Sequence, residues 1–312
     1  MRVARYQKND AVHFGFFDEQ YVVAFAAAVR VWADATSNQW EGSIGSLLDL
    51  LPHGTHHETA RAVSDWLSDG NGDDLRIPID EVELLTPIAR PNKLFLLAGN
   101  YAAHIEEGGE LATERSETFP YVFMKPPTTT LVSPNAEIQI PAVSPAQIDW
   151  ELELAVVIGA TTKGVTEAEA LSRVAGYTVI NDISDRAFHP NPQRKTRDRD
   201  KFFDWLHGKW HDSFCPCGPC IADPSTIPDP QKLNMTLTVN GNVKQDASTA
   251  LQIFPVAAVI EFISAFVTLE PGDIISTGTP AGVGKARGEF LSTGDEMNGT
   301  IEGIGSLITR VS

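Results

Sequence analysis

Cysteine is scarce. Only Cys215, Cys217 and Cys220 occur in 312 residues, clustered and odd in number, which argues against a disulfide framework. Cys217-Gly218-Pro219-Cys220 keeps the spacing of a redox C-x-x-C, and with His207 and His211 nearby the cluster could hold zinc. Prolines 216, 219 and 224 break up that setting, and no second close Cys/His pair completes a zinc site. The competing expectation is small residues in a tight loop. Positive charge is also short: 24 basic residues against 41 acidic ones leave a net charge of -17. Such a surface repels nucleic acid and anionic membranes, so neither is an expected partner. Long hydrophobic runs are missing, since the stretch from Tyr21 to Val29 is broken by Arg30. No apolar signal core follows Met1–Lys8, so the expected location is cytoplasmic. Internal repeats and low-complexity tracts are absent as well.

What is present is an ordinary globular composition, 42% hydrophobic and 21% charged, long enough for one large domain with a smaller appendage. Residues 1–85 read as a small N-terminal domain of short apolar stretches, with helical segments at Ile44–Leu51 and Glu58–Leu67. Asp69–Asp74 is a turn-rich break, and Pro87 and Pro91 bracket a linker. Residues 90–312 form the second domain. Strands are expected at Leu94–Ala98, Tyr121–Met124 and Tyr177–Ile180, and a hairpin at Thr236–Val243 turning on Asn240-Gly241. A strand at Ile274–Thr277 leads into glycine-rich Gly278–Gly284. Thr166 and Glu169 make a capping box for a helix to about Ala175, and Pro255 opens another through Val267. Sheet-rich α+β is the expected class.

One strand stands out. In Asp149-Trp150-Glu151-Leu152-Glu153-Leu154-Ala155-Val156-Val157-Ile158-Gly159, Glu151 and Glu153 are two apart and project from the same face. Adjacent buried carboxylates repel each other and lose hydration unless a cation sits between them. Oxygen ligands suit a hard divalent ion such as Mg2+ or Mn2+. Asp182, ending an apolar strand, is the candidate third ligand; the bland alternative is edge-strand salt bridges and a turn cap. His104 and Glu107 fall three apart on one helix face, where a carboxylate can fix an imidazole for deprotonating water. The alternative there is a partly exposed histidine at a helix start. Lys209 and Lys125, set among aromatics and prolines, could neutralise a substrate carboxylate or a developing oxyanion. Arg194–Lys201 reads as a solvated loop with internal ion pairs. Gly278–Gly284 is a weak phosphate-binding candidate, lacking the Lys-Ser ending of a P-loop and opening no evident helix.

Together, in order from Lys93 to the C-terminus, these motifs resemble the fumarylacetoacetate hydrolase family. Gly99-Asn100-Tyr101 with His104 and Glu107 is similar to its N-Y-x-x-H-x-x-E segment, and Phe123-Met124-Lys125-Pro126 to its F-x-K-P strand. Asp149-x-Glu151-x-Glu153 resembles its metal-binding strand, and Asn181-Asp182 the next one. Gly208-Lys209, Phe214-x-Pro216-x-Gly218-Pro219 and Thr277-Gly278-Thr279-Pro280-x-Gly282-Val283-Gly284 complete the series. The resemblance implies a mixed β-roll, a homodimer, and Mg2+ or Mn2+ on Glu151, Glu153 and Asp182. It implies His104 and Glu107 as a water-activating dyad on a lid and Lys209 as the catalytic lysine. Lys125, Arg186 and Thr279 would bind substrate, Thr279 helping to seat its carboxylate.

The chain also departs from the family pattern. Where members often read S/T-x-R-D-x-Q, this sequence has Ser184-Asp185-Arg186-Ala187-Phe188-His189, followed by a longer insertion to about Asp204. The absent glutamine usually touches substrate. The expected substrate is a small anionic 2-oxo or 2,4-dioxo acid reacting through a metal-stabilised enolate. The first expectation is C–C hydrolysis of an acylpyruvate-like compound from aromatic catabolism. Isomerisation or decarboxylation of 2-hydroxyhepta-2,4-diene-1,7-dioate-type acids is the alternative within the fold. A zinc or redox interaction protein centred on Cys215–Cys220 is the alternative of another class.

Overall fold

The computed structural model describes all 312 residues. Its N-terminal part runs β1 (Arg2–Lys8), β2 (Ala11–Phe17), β3 (Tyr21–Ala24), α1 (Phe25–Thr36), α2 (His57–Ser68), β4 (Arg76–Pro78) and β5 (Glu83–Leu85). The apolar run from Tyr21 is therefore divided: a strand to Ala24, then a helix burying Phe25, Ala28, Val29 and Ala33 at helical spacing. Ile44–Leu51 yields only a 3-10 turn at Leu47–Leu50.

Next in the chain are β6 (Leu94–Ala98), α3 (Ala102–Glu107), β7 (Tyr121–Met124), β8 (Leu131–Val132), β9 (Glu137–Ile138), β10 (Ile148–Asp149) and β11 (Leu152–Ile158). After α4 (Glu167–Ala170) come β12 (Val174–Asn181), β13 (Ser184–Asp185), α5 (Asp200–His207) and β14 (Cys215–Ala222). The Thr166/Glu169 capping box forms as expected, but its helix stops at Ala170. A 3-10 turn closes the segment, and Val174 and Ala175 belong instead to β12. Pairing of β12 with both β11 and β14 overrides the local helical preference there. The hairpin β15 (Asn234–Val239) and β16 (Asn242–Ser248) turns at Asn240-Gly241. The chain ends with α6 (Val256–Phe266), β17 (Ile274–Ser276), α7 (Gly284–Arg287), β18 (Glu296–Ile301) and β19 (Gly305–Val311).

The large mixed sheet has the order β4-β3-β2-β1-β14-β12-β11-β17-β6-β7, and a second sheet runs β16-β15-β18-β19-β9. β11 lies inside the large sheet, between β12 and β17, and all seven of its residues are buried. Leu152, Leu154, Val156 and Ile158 enter the core shared with the second sheet, alongside Leu237, Met297 and Leu307. Ala155 and Val157 enter a second core, with Val29 and Val63 of the N-terminal helices. A strand covered on both faces has to be apolar throughout, so Glu153 within it needs a special reason. The N-terminal strands extend the same sheet, because β1 pairs with β14 at Arg2–Ala222 and Val3–Ile221. No helix is long and apolar enough to cross a membrane.

The cysteines lie in β14 and not in a loop. All are free and buried. Cys215 and Cys217 face one core and Cys220 the other, so the three thiols cannot converge on one ion. Burial pushes the Cys217 and Cys220 thiols up to about 12, which withholds the thiolate that redox chemistry or zinc binding needs.

Candidate active site

The ends of β6, β11, β12 and β17 and the loop after β17 gather the site. Glu153 is inside β11; Glu151 lies one residue before the strand, where Asn181 Oδ1 accepts its backbone N–H at 2.8 Å. Asp182 follows β12 directly. Ligand oxygens of Glu151, Glu153 and Asp182 all fall within 4.8 Å of one another, and all three residues are buried. The structure thus brings together the two carboxylates that the strand alternation singled out and the one that ends the next apolar strand.

Cations surround them. Lys209 Nζ donates to Glu151 Oε2 at 2.8 Å and to Asp182 Oδ2 at 2.5 Å. Arg186 donates to Asp149 Oδ2 at 2.9 Å and pairs with Glu151 Oε1. Lys125 pairs with Asp182 Oδ1 while donating to the carbonyls of Ile183 at 2.9 Å and Phe214 at 2.5 Å. Burial raises the Glu151 carboxyl, but Lys209 and Arg186 more than reverse this and hold it well below the usual range. Burial likewise works against the Lys209 ammonium, and Asp182 and Glu151 outweigh it, so its pKa is raised. Glu153 goes the other way: burial, then the charges of Asp182 and Glu151, push it well above the carboxylate range. Asp149, Glu151, Glu153 and Asp182 are four carboxylates around the three permanent cations Lys125, Arg186 and Lys209, and Glu153 is the one that none of these three contacts.

That imbalance tests whether the residues fit a divalent ion. Glu153 Oε1 is buried without a hydrogen-bond partner, and so is Asp182 Oδ1, whose Lys125 ion pair lacks hydrogen-bond geometry. Two orphaned carboxylate oxygens beside Glu151 form a hard oxygen donor set, and such a set fits Mg2+ or Mn2+. A dication would also stabilise ionised Glu153.

His104 Nδ1 lies 2.8 Å from Glu107 Oε1, as the three-residue spacing requires. His104, Glu151, Arg186, Lys209 and Thr279 share one cavity of about 50 Å³. Lys125 is not among its lining residues: the side chain is fully enclosed, and its ammonium is engaged by Asp182 and the carbonyls of Ile183 and Phe214. Arg186 does reach the cavity, but its guanidinium already holds Asp149 and Glu151. Thr279 donates to Leu152 O at 3.0 Å and accepts from Gln245 Nε2 at 2.8 Å.

The glycine-rich loop is not a phosphate cradle. The Gly278 amide donates to Glu153 Oε2 at 2.9 Å, that of Gly282 to Glu107 Oε2 at 2.8 Å, and that of Gly284 to Asp149 Oδ1 at 2.6 Å. Each amide holds a different carboxylate. Gly282 has φ +104°, and a Cβ there would lie 2.2 Å from Lys244 O, so only glycine fits. The one-turn α7 opens at Gly284, contrary to the expectation of no helix. Asp149, Asn181, Gln245 and Ser276, which donates to Glu153 Oε2 at 2.6 Å, received no role from the sequence. The sequence pointed to two of them, Asp149 through the D-x-E-x-E alternation and Asn181 through the Asn181-Asp182 motif.

The fumarylacetoacetate (FAA) hydrolase C-terminal family model matches residues 93–312. The chain belongs to the fumarylacetoacetate hydrolase family. Among curated relatives, 2,4-didehydro-3-deoxy-L-rhamnonate hydrolase of Sphingomonas sp. (strain SKA58) is 42% identical over 230 residues, covering 72% of this chain and 75% of that protein. The 2-hydroxyhepta-2,4-diene-1,7-dioate isomerase from Mycobacterium marinum has a similar structure, with TM-score 0.70 and 32% identity over 100% of this chain and 98% of that one. Maleylpyruvate hydrolase from Sphingobium sp. SYK-6, in complex with manganese(II) and pyruvate, has TM-score 0.72 and 27% identity over 100% and 98%. Hydrolases and isomerases thus both stand among the family neighbours, and one of them carries a divalent metal.

Proposed function

We propose that this family member is a Mg2+- or Mn2+-dependent hydrolase of the C–C bond in acylpyruvate-like 2,4-dioxo acids, of the kind met in aromatic catabolism. The observation that carries the reading is the single cavity onto which Glu151 of the oxygen cluster, His104 and Lys209 open. Glu151, Glu153 and Asp182 would hold the ion. When bound, it supplies Lewis acidity and positive charge to the 2-oxo acid end of the substrate.

The protein's own groups do the rest. Glu107 engages His104 Nδ1 and is itself fixed by the Gly282 amide, leaving Nε2 to take a proton from water. The water oxygen adds to the distal acyl carbon, and the bond from that carbon to C3 of the pyruvyl part breaks. Its electron pair stays on the pyruvyl fragment as an enolate, which takes up a proton at C3. The products are a carboxylic acid and pyruvate, with one water consumed. Lys209, kept as an ammonium by Asp182 and Glu151, is suited to hydrogen-bond the oxyanion formed at the acyl carbon. A cytoplasmic homodimer belongs to the same reading.

Likeness to the Mycobacterium marinum isomerase favours a second reading, isomerisation of 2-hydroxyhepta-2,4-diene-1,7-dioate-type acids; decarboxylation of such acids would use the same ion site. The deciding experiment incubates purified protein with Mg2+, Mn2+ or a chelator and a panel of acylpyruvates, oxaloacetate and dienedioates, and weighs the products. Hydrolysis yields pyruvate plus an acid, isomerisation conserves mass, and decarboxylation loses CO2. Turnover untouched by both chelation and Glu153→Ala would overturn the metal-dependent reading.

A further inference from the structure

Two cavities meet at the end of β6. Beyond the one with Glu151 and His104 lies another, of about 280 Å³, lined by Ile105, Leu111, Phe119, Tyr121 and Phe254. Ala98 and Gly99 wall both. Consecutive residues of α3 divide them, His104 serving the first and Ile105 the second. Ile105 stands beside the shared wall, since a Cβ on Gly99 would lie 3.5 Å from Ile105 Cγ1. The segment joining α3 to β7 leaves Leu111 91% and Phe119 58% exposed, apolar groups with little to pack against.

Charge narrows what can enter. Residues 102–120 carry Glu106, Glu107, Glu110, Glu114 and Glu117 against Arg115, which is committed to Glu167. Glu110 lines the second cavity and no lysine or arginine does. Arg186 and Lys209 of the first are already held by Asp149, Glu151 and Asp182. A second substrate carboxylate in the second cavity would therefore sit beside the like charge of Glu110, with no lysine or arginine lining that cavity to receive it.

Building on the hydrolase reading, we propose that the second cavity receives the acyl end of the substrate. The substrate class is then an acylpyruvate with an uncharged alkyl or aryl acyl group, not a dicarboxylic acid. Leu111 and Ile105 are specificity-determining residues that discriminate by apolar contact.

The test measures steady-state kinetics with Mg2+ on acetylpyruvate, hexanoylpyruvate, benzoylpyruvate and succinylpyruvate, for the native protein, Leu111→Ser and Leu111→Lys. Calorimetric binding of 2-oxooctanoate against 2-oxosuberate accompanies it. The native protein should prefer the hexanoyl and benzoyl substrates to succinylpyruvate by at least about tenfold in kcat/KM, and 2-oxooctanoate should bind more tightly by a similar factor. Leu111→Ser should raise KM for the two longer apolar substrates about tenfold while leaving their kcat unchanged. Leu111→Lys should narrow the gap to succinylpyruvate. Equal or better use of succinylpyruvate overturns the assignment, as do Leu111 variants that alter oligomeric state on gel filtration but not substrate preference. Acetylpyruvate turnover without any preference strikes the acyl pocket alone, whereas no turnover of any acylpyruvate, acetylpyruvate included, removes the hydrolase reading and the pocket with it.

Discussion

Glu153 is the residue on which the site's electrostatics turn. It is fully buried, one of its oxygens is held by Ser276 and Gly278, and the other has no hydrogen-bond partner. Without an ion, burial and the neighbouring carboxylates favour its neutral form. Glu153→Gln mimics that form, so the metal-free variant should melt at or slightly above the native temperature. Its Mg2+ affinity by calorimetry should nonetheless fall by at least about tenfold, since an amide replaces an anionic ligand. A variant that lost stability and kept full Mg2+ affinity would refute the ligand assignment. Glu107 acts through its neighbour. Glu107→Gln should lower kcat on an acylpyruvate by about a hundredfold and shift the pH–rate profile, with Mg2+ affinity unchanged. An unaltered pH–rate profile would reduce Glu107 to a structural tie for Gly282.

At the scale of elements, the site depends on how β6 and the turn after it are fastened. Asn100, 1% exposed, donates to Thr277 O at 2.8 Å and to Phe254 O at 3.0 Å, and accepts from the Phe254 amide at 2.8 Å. One side chain thus ties the turn before α3 to the end of β17 and to the approach to α6. Asn100→Ala leaves these buried backbone groups without partners and should cost about 3 kcal/mol in denaturant unfolding. A loss below about 0.5 kcal/mol would mean that the turn is held by other contacts. The glycine-rich loop makes the same point: Gly278, Gly282 and Gly284 look like a ligand cradle in sequence, yet their amides serve Glu153, Glu107 and Asp149.

Across the whole molecule, residues 1–85 share a sheet and a core with residues 90–312. β1 pairs with β14, and Val3, Phe16, Val29 and Val63 pack with Ala155, Val157 and Ala175 of the central strands. Deleting residues 1–85 would bare the edge of β14 that pairs with β1 and uncover Ala155, Val157 and Ala175 of β11 and β12. The truncated chain should lose its cooperative thermal transition and expose hydrophobic surface to dye binding. A truncated chain that melts cooperatively near the native temperature would show that the N-terminal segment is dispensable for folding.

The sequence by itself determined the period-two placement of Glu151 and Glu153, the His104–Glu107 spacing and the order of family motifs. The two spacings are short-range properties that backbone geometry converts directly into a shared face. It also foretold the β15–β16 hairpin, because the turn chemistry at Asn240-Gly241 is local. Only the tertiary structure decided the rest. Cys215 to Cys220 became a central strand, since β1 and β12 flank it with complementary backbone edges. Lys125 proved to be a brace because Ile183, Phe214 and Asp182 close around its ammonium. Asp149, Gln245 and Ser276 joined the site through partners tens of residues away in the chain. Such long-range pairings depend on which strands meet, and no local pattern encodes that.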